Sequence, residues 1–212
     1  MTPKHFTRRD FLKTVGMTLG ASALVCSGLG FAATRSPETD LPELFYGREN
    51  TTNKRILITY ATRAGSTIEV AAAIGKTLAQ RDFSVDVKPS QDRPQVDGYD
   101  AVLVGSAIRM GSWLPEAVKF VENNQSGLSQ MPTAFFTVHI GNIGDDKKSR
   151  SARLAYLDPV RTLVKPVDEV YFAGKMDFSR LSFLDRLLVS DDVEEDLRDW
   201  DVIRGWARTI LA

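Results

Sequence analysis

A doubly wound α/β domain with a five-stranded parallel sheet is the fold class this sequence predicts. Three observations carry it. Five short runs read as strands, and two of them, ILITY and AVLV, are continuous and apolar without polar alternation, as expected of strands buried on both faces. Segments with helical spacing of apolar residues separate them, which argues for βαβ units. Three of the runs lead into loops where an open α/β sheet binds its ligands, beyond the carboxyl ends of its strands.

The first 32 residues stand apart from the fold. A short basic stretch leads to Thr7-Arg8-Arg9-Asp10-Phe11-Leu12-Lys13, and an apolar segment rich in small residues follows from Val15 to Ala33. That order is the layout of an export signal, and the run resembles the bacterial twin-arginine consensus. The segment is short and interrupted for a membrane span. Gly30-Phe31-Ala32 offers a cleavage site that leaves 180 of the 212 residues. Cys26, the one cysteine, goes with the leader, so the mature chain is expected to hold no disulfide, cysteine-ligated metal or iron–sulfur cluster. Val25 stands where a lipoprotein signal carries a small residue, so lipid anchoring at Cys26 is not expected. Without Lys4, Arg8, Arg9, Lys13 and Asp10 the balance is 23 basic to 26 acidic residues, which carries no nucleic-acid footprint.

Residues 33–53 are polar around a short apolar island and read as a linker; residues 54–212 read as the domain. Residues 56–60 (ILITY) are the first buried strand, and 67–80 a helix with Ala71, Ile74 and Leu78 on one face. Residues 84–88 (SVDVK) and 101–104 (AVLV) are the second and third strands. Residues 114–122 form a helix, with Pro115 suited to its first turn. Residues 133–140 (TAFFTVHI) are a strand, 151–164 a helix, and 167–172 the last strand. A closing helix, 199–211, carries Ile203, Trp206 and Ile210 as its apolar stripe.

The first loop, Thr62, Arg63, Ala64, Gly65, Ser66 and Thr67, runs straight into a helix. A loop of small and hydroxyl residues at a helix start suits a phosphate: glycine lets backbone approach, and free amides and the helix dipole favour an anion. Arg63 can add charge. No Lys follows Gly65, so this is not a nucleoside-triphosphate loop, and the three-glycine dinucleotide spacing is missing. Ser66 and Glu69 also match a capping box, so plain helix capping competes with phosphate binding. The second loop holds Gly105, Ser106, Ala107, Ile108, Arg109, Met110 and Gly111, with Trp113 just beyond. The third follows His139 and Ile140 at Gly141 and becomes charged from Asp145 to Arg153. Core packing competes for Trp113, and a structural role for His139.

These loops resemble those of flavodoxins, whose FMN phosphate loop runs T/S-x-T-G-x-T between the first strand and first helix. The Arg in ATRAGST, and the Gly105–Gly111 segment, are closer to the flavodoxin-like protoporphyrinogen oxidase family, with its STRxGxT loop and G-A-S-I-R-x-G segment. The resemblance covers most of residues 55–212, including Asp199-Trp200 ahead of the last helix. It implies a flavodoxin-like fold with strand order 2-1-3-4-5. It also implies FMN held by phosphate on residues 62–67 and by its ring on Ser106–Gly111, Trp113, His139, Ile140 and Gly141. Two departures weigh against the haem-pathway activity itself. The stretch 173–198 is shorter and more acidic than that family's basic, apolar insertion, although Phe183, Leu184, Leu187 and Leu188 keep an apolar stripe. The leader directs the chain away from the compartment of haem synthesis.

The expected function is therefore an FMN-dependent oxidoreductase that passes electrons from a reduced donor to a quinone-like acceptor, with the chemistry in the cofactor. No acid–base pair or nucleophile is legible. The alternative is a non-enzymatic electron carrier between protein partners, although such carriers are usually strongly acidic. Expected partners are a redox partner (a quinone or an electron-transfer protein), the twin-arginine translocase during export, and a membrane surface touched peripherally. The expected address is the periplasm.

Overall fold

Ile56, Leu57 and Ile58 are all fully buried, although successive side chains of a strand point to opposite faces. Both faces of the sheet must therefore be covered. The computed structural model describes residues 41–47, 54–175 and 196–211. The expected export signal with Cys26, the apolar stripe Phe183 to Leu188 and most of the acidic stretch after it lie outside the described residues.

The strands are β1 (Leu44–Tyr46), β2 (Arg55–Ala61), β3 (Ser84–Pro89), β4 (Ala101–Arg109), β5 (Ser112–Trp113), β6 (Thr133–His139) and β7 (Asp168–Ala173). The helices are α1 (Ser66–Ala79), α2 (Pro115–Asn123), α3 (Gln125–Leu128), α4 (Lys147–Ala155), α5 (Asp158–Arg161) and α6 (Trp200–Thr209). Across the sheet the order is β1-β3-β2-β4-β6-β7, with β5 paired to β4. Strands β3, β2, β4, β6 and β7 run parallel, whereas β1 and β5 are antiparallel to their neighbours. Among the described residues the sheet has seven strands rather than the expected five: the five parallel ones keep the order 2-1-3-4-5, and an antiparallel edge strand and a short hairpin strand are added.

That edge strand comes from the segment read as a linker. Its apolar island pairs Leu44 to Val87 and Tyr46 to Val85, and both side chains pack onto the core. Tyr60 Oη donates to Pro42 O at 3.0 Å and ties the segment down. Close approach here explains the glycine within α1: a Cβ on Gly75 would lie 2.9 Å from the Tyr46 ring.

Two apolar layers flank the sheet. Ile56, Ile58 and Tyr60 face α1 and α6, packing with Val70, Ile74, Leu78, Ile203 and Ala207. On the other face Leu57, Val102 and Val104 pack with Leu114, Phe120, Leu157 and Val160. Burying each such side chain contributes roughly 1.5–3 kcal/mol relative to leaving it exposed. Arg81 closes one end of the first layer by donating to Ala207 O at 3.0 Å and Ile210 O at 2.6 Å, carbonyls that the end of α6 leaves open.

Two further expectations are corrected. The single helix expected over 151–164 is two helices, α4 and α5. Asp146 starts α4 early by accepting the Lys148 and Ser149 amides at 3.0 Å, and Pro159 opens α5 after a turn at Tyr156 and Leu157. The strand expected to stop at Val104 runs on to Arg109, so most of the second loop is strand.

Candidate functional site: the switch point of the sheet

The parallel order reverses between β3 and β4 on either side of β2, so the crevice opens above the carboxyl end of β2. Register brings the ends together: Ala61 pairs with Ser106, Ala107 with Val138, and His139 with Ala173. A Cβ on Gly174 would lie 3.4 Å from Ser66 Oγ and 3.5 Å from His139 O, so the first loop, the third loop and the end of β7 converge.

The first loop is shaped for an anion. Gly65 is the N-cap of α1 with φ 89°, a left-handed backbone suited to glycine. The first bond back to the cap runs from Glu69 N–H to Gly65 O, so the amides of Ser66, Thr67 and Ile68 have no helical carbonyl to reach. Thr67 Oγ1 is buried and has no hydrogen-bond partner. Thr62 Oγ1 accepts the Gly65 amide at 3.0 Å, which draws the turn tight and leaves the hydroxyl proton to donate. Ser66 and Ala64 are half-buried.

The capping box expected from Ser66 and Glu69 is absent. Ser66 is already inside the helix, and no side chain caps it. Glu69 instead pairs at 2.6 Å with Arg198, whose side chain is 5% exposed and also grips Asp196 at 2.7 Å. Hydrogen bonding from Arg198 holds the Asp196 carboxyl down at about 2. This clasp fixes the start of α1 to the chain ahead of α6, beside the Lys175–Asp196 bridge.

Arg63 also differs from expectation. Its Nη2 lies 2.5 Å from Glu116 Oε1, at the start of α2, so its charge is matched there. Glu116 was not singled out from the sequence. Its place in a first helical turn reads as ordinary dipole compensation, and no local signal announces a partner 53 positions away.

The second loop is a hairpin. Ile108 pairs with Trp113 and Arg109 with Ser112, and Met110 (φ 52°) and Gly111 (φ 76°) form the turn, both in the left-handed region. Ser106 is fully buried; its Oγ donates to Ala107 O at 2.8 Å and accepts the Leu114 amide at 2.9 Å. Its hydroxyl holds the hairpin closed rather than facing the crevice. Trp113 is 3% exposed, packed in a T-shaped pair with Phe135, its Nε1 donating to Thr137 Oγ1 at 2.9 Å. The expected ring-stacking role does not fit that burial. Ala107, Ile108 and Arg109 are half-buried, while Met110 stands out at 87% exposed.

In the third loop His139 is buried, with Nδ1 2.7 Å from Gly141 O. A carbonyl only accepts, so Nδ1 carries the proton and the neutral ring keeps Nε2 as an acceptor. Burial pushes the imidazole below its ordinary value, and the Arg153 charge pushes the same way. Arg153 clamps the loop by donating to Asn142 O at 2.5 Å and Gly144 O at 2.7 Å. Ile140, Gly141 and Ile143 are exposed, and α4 beyond them buries none of its residues. A cavity of about 410 Å³ lies against this loop, lined by His139, Ile143, Arg153 and Tyr171 among others. A larger one, about 620 Å³, sits at the opposite ends of the strands beside Lys54, Asp100 and Asp168. Open α/β sheets bind beyond the carboxyl ends, so the switch-point crevice is the candidate site.

Comparison with known proteins identifies the family of the domain. Residues 57–195 match the family model of the flavodoxin domain. Protoporphyrinogen IX dehydrogenase (quinone) of Escherichia coli K12 is 26% identical over 170 residues, covering 74% of this chain and 94% of the relative. The protein of that name from Leishmania major is 28% identical over 176 residues, covering 74% of this chain and 75% of its own. Among solved structures, the two-electron reduced flavodoxin of Megasphaera elsdenii aligns with a TM-score of 0.46 at 13% identity, covering 72% of this chain and 96% of that one.

Proposed function

Because this chain belongs to the flavodoxin domain family, we propose that it is an FMN-dependent oxidoreductase passing electrons from a reduced donor to a quinone-like acceptor. The observation that carries the reading is the start of α1. Three amides without helical partners and the buried, unpartnered Thr67 hydroxyl converge where a single phosphate would sit. Among the described residues the start of α1 is the one helix start at the switch point with a left-handed glycine cap and open amides, which favours FMN over a dinucleotide. When bound, FMN supplies the redox chemistry, in one-electron or two-electron steps.

The chain's own residues bind, orient and shield. Ser66, Thr67 and the first-turn amides would hold the phosphate. The Ala107–Gly111 hairpin and the Ile140–Gly141 backbone would flank the ring. Buried His139 and Trp113 brace those two loops from beneath. Met110 of the second loop and Ile140 and Ile143 of the third are exposed apolar side chains that would rim the ring, and Lys147, Lys148 and Arg150 are exposed on α4. A redox partner, quinone or protein, would approach across this rim, and a membrane surface could meet it peripherally. The Arg8–Arg9 leader supports export of the folded protein to the periplasm by the twin-arginine translocase.

Hot-acid release from purified protein supplemented with both flavins, followed by chromatography, should recover FMN. The loaded protein should then turn over a reduced substrate with a soluble quinone. FAD as the main species, or no flavin, overturns the cofactor reading. FMN without turnover favours the carrier reading instead.

A further inference from the structure

Arg63 and Glu116 meet across the crevice, Nη2 to Oε1 at 2.5 Å, with side chains 32% and 28% exposed. Arg63 belongs to the loop that ends at the Gly65 cap. Its Nη1 also folds back onto Thr62 O at 3.4 Å. Glu116 stands one residue into α2, directly behind the hairpin that Ser106 and the β4–β5 pairing hold shut. Its second oxygen, Oε2, is buried without a hydrogen-bond partner. With one oxygen paired to Arg63 and the other buried, the carboxylate is held in one orientation between the two elements.

We propose that the Arg63–Glu116 pair is a strut joining the phosphate loop to the ring-flanking hairpin, and that Glu116 is a positioning residue for the flavin nucleotide. The inference rests on the FMN reading above and goes beyond it. It reverses the simple expectation for Arg63. Were Arg63 a phosphate ligand held back by Glu116, removing the carboxylate would free the guanidinium and tighten FMN. As a strut, the pair sets the distance between two binding elements, so removing either end loosens FMN. Riboflavin, which lacks the phosphate but uses the hairpin, should loosen as well.

The test is flavin fluorescence quenching by full-length wild type, Glu116→Gln, Arg63→Gln and the double variant, with FMN and with riboflavin. Each single change should raise the Kd for FMN about fivefold to thirtyfold, and the double variant no more than the worse single one. The reversed pair, Arg63→Glu with Glu116→Arg, should recover part of the loss. A half-exposed pair adds little to global stability, so flavin-free Glu116→Gln should melt within about 4 °C of wild type. Glu116→Asp keeps the charge and shortens the reach, and should loosen FMN too. Tighter or unchanged FMN binding by Glu116→Gln, or additive single effects, overturns the strut while leaving FMN binding by wild type standing. Wild type that binds neither flavin overturns the FMN reading itself.

Discussion

Replacing Thr67 by Val separates a ligand-binding hydroxyl from a structural one, because the two roles give opposite signs. Thr67 is fully buried in the first turn of α1, and its Oγ1 has no hydrogen-bond partner. Valine keeps the branched shape and exchanges that oxygen for a methyl group. A buried unsatisfied polar group costs about 1–3 kcal/mol, so the flavin-free variant should be more stable than wild type by about that amount. For a domain of this size, each kcal/mol moves the midpoint by about 2–4 °C, and the melt should therefore shift upward by several degrees. Holding a phosphate, the same hydroxyl would make a hydrogen bond to a charged group, which contributes about 1.5–3 kcal/mol. FMN affinity should then fall roughly tenfold to a hundredfold. Thermal melts of the apo-protein and an FMN titration at one temperature read both effects. A variant that melts earlier and binds FMN as wild type does would show that the hydroxyl is satisfied within the fold and plays no part in phosphate binding.

Two other outcomes follow from named residues. Burial holds His139 below its ordinary 6.5, so the unfolded chain takes up a proton first as pH falls. Stability from this group is full above 6.5 and is lost as pH falls through the lower, folded value. The chain has one other histidine, His5, which lies outside the described residues. Urea denaturation should give stability that falls as pH drops below about 6.5, with a flatter profile for His139→Gln; an unchanged slope in the variant would assign the dependence elsewhere. Arg8→Lys with Arg9→Lys should leave full-length protein in the cytoplasm, read by fractionation and blotting, and periplasmic protein at normal levels would refute the twin-arginine assignment.

Local chemistry alone determined the strands buried on both faces, the helices between them, and the glycine turn into α1. Runs such as ILITY and AVLV need two apolar layers wherever they are placed, and a glycine ahead of hydroxyl residues at a helix start marks open amides. The end of β4 was not legible. The sequence GSAIRMG has the small residues of a loop, yet pairing with Ser112 and Trp113 extends it as a hairpin, and only the register of the partner decides that. Trp113 was a candidate for stacking because the resemblance to flavodoxins implies an aromatic against the ring at this loop. The fold turns it inward, where Thr137 satisfies its N–H and Phe135 packs against the ring in a T-shaped pair. Three apolar residues among polar ones were too few to announce β1, which exists because the open edge of β3 offers unpaired backbone groups. What tertiary structure alone decided is the pairing of charges: Arg63 with Glu116, and Glu69 with Arg198. Charge recognition acts through space, so partners 53 and 129 positions apart leave no trace in local spacing.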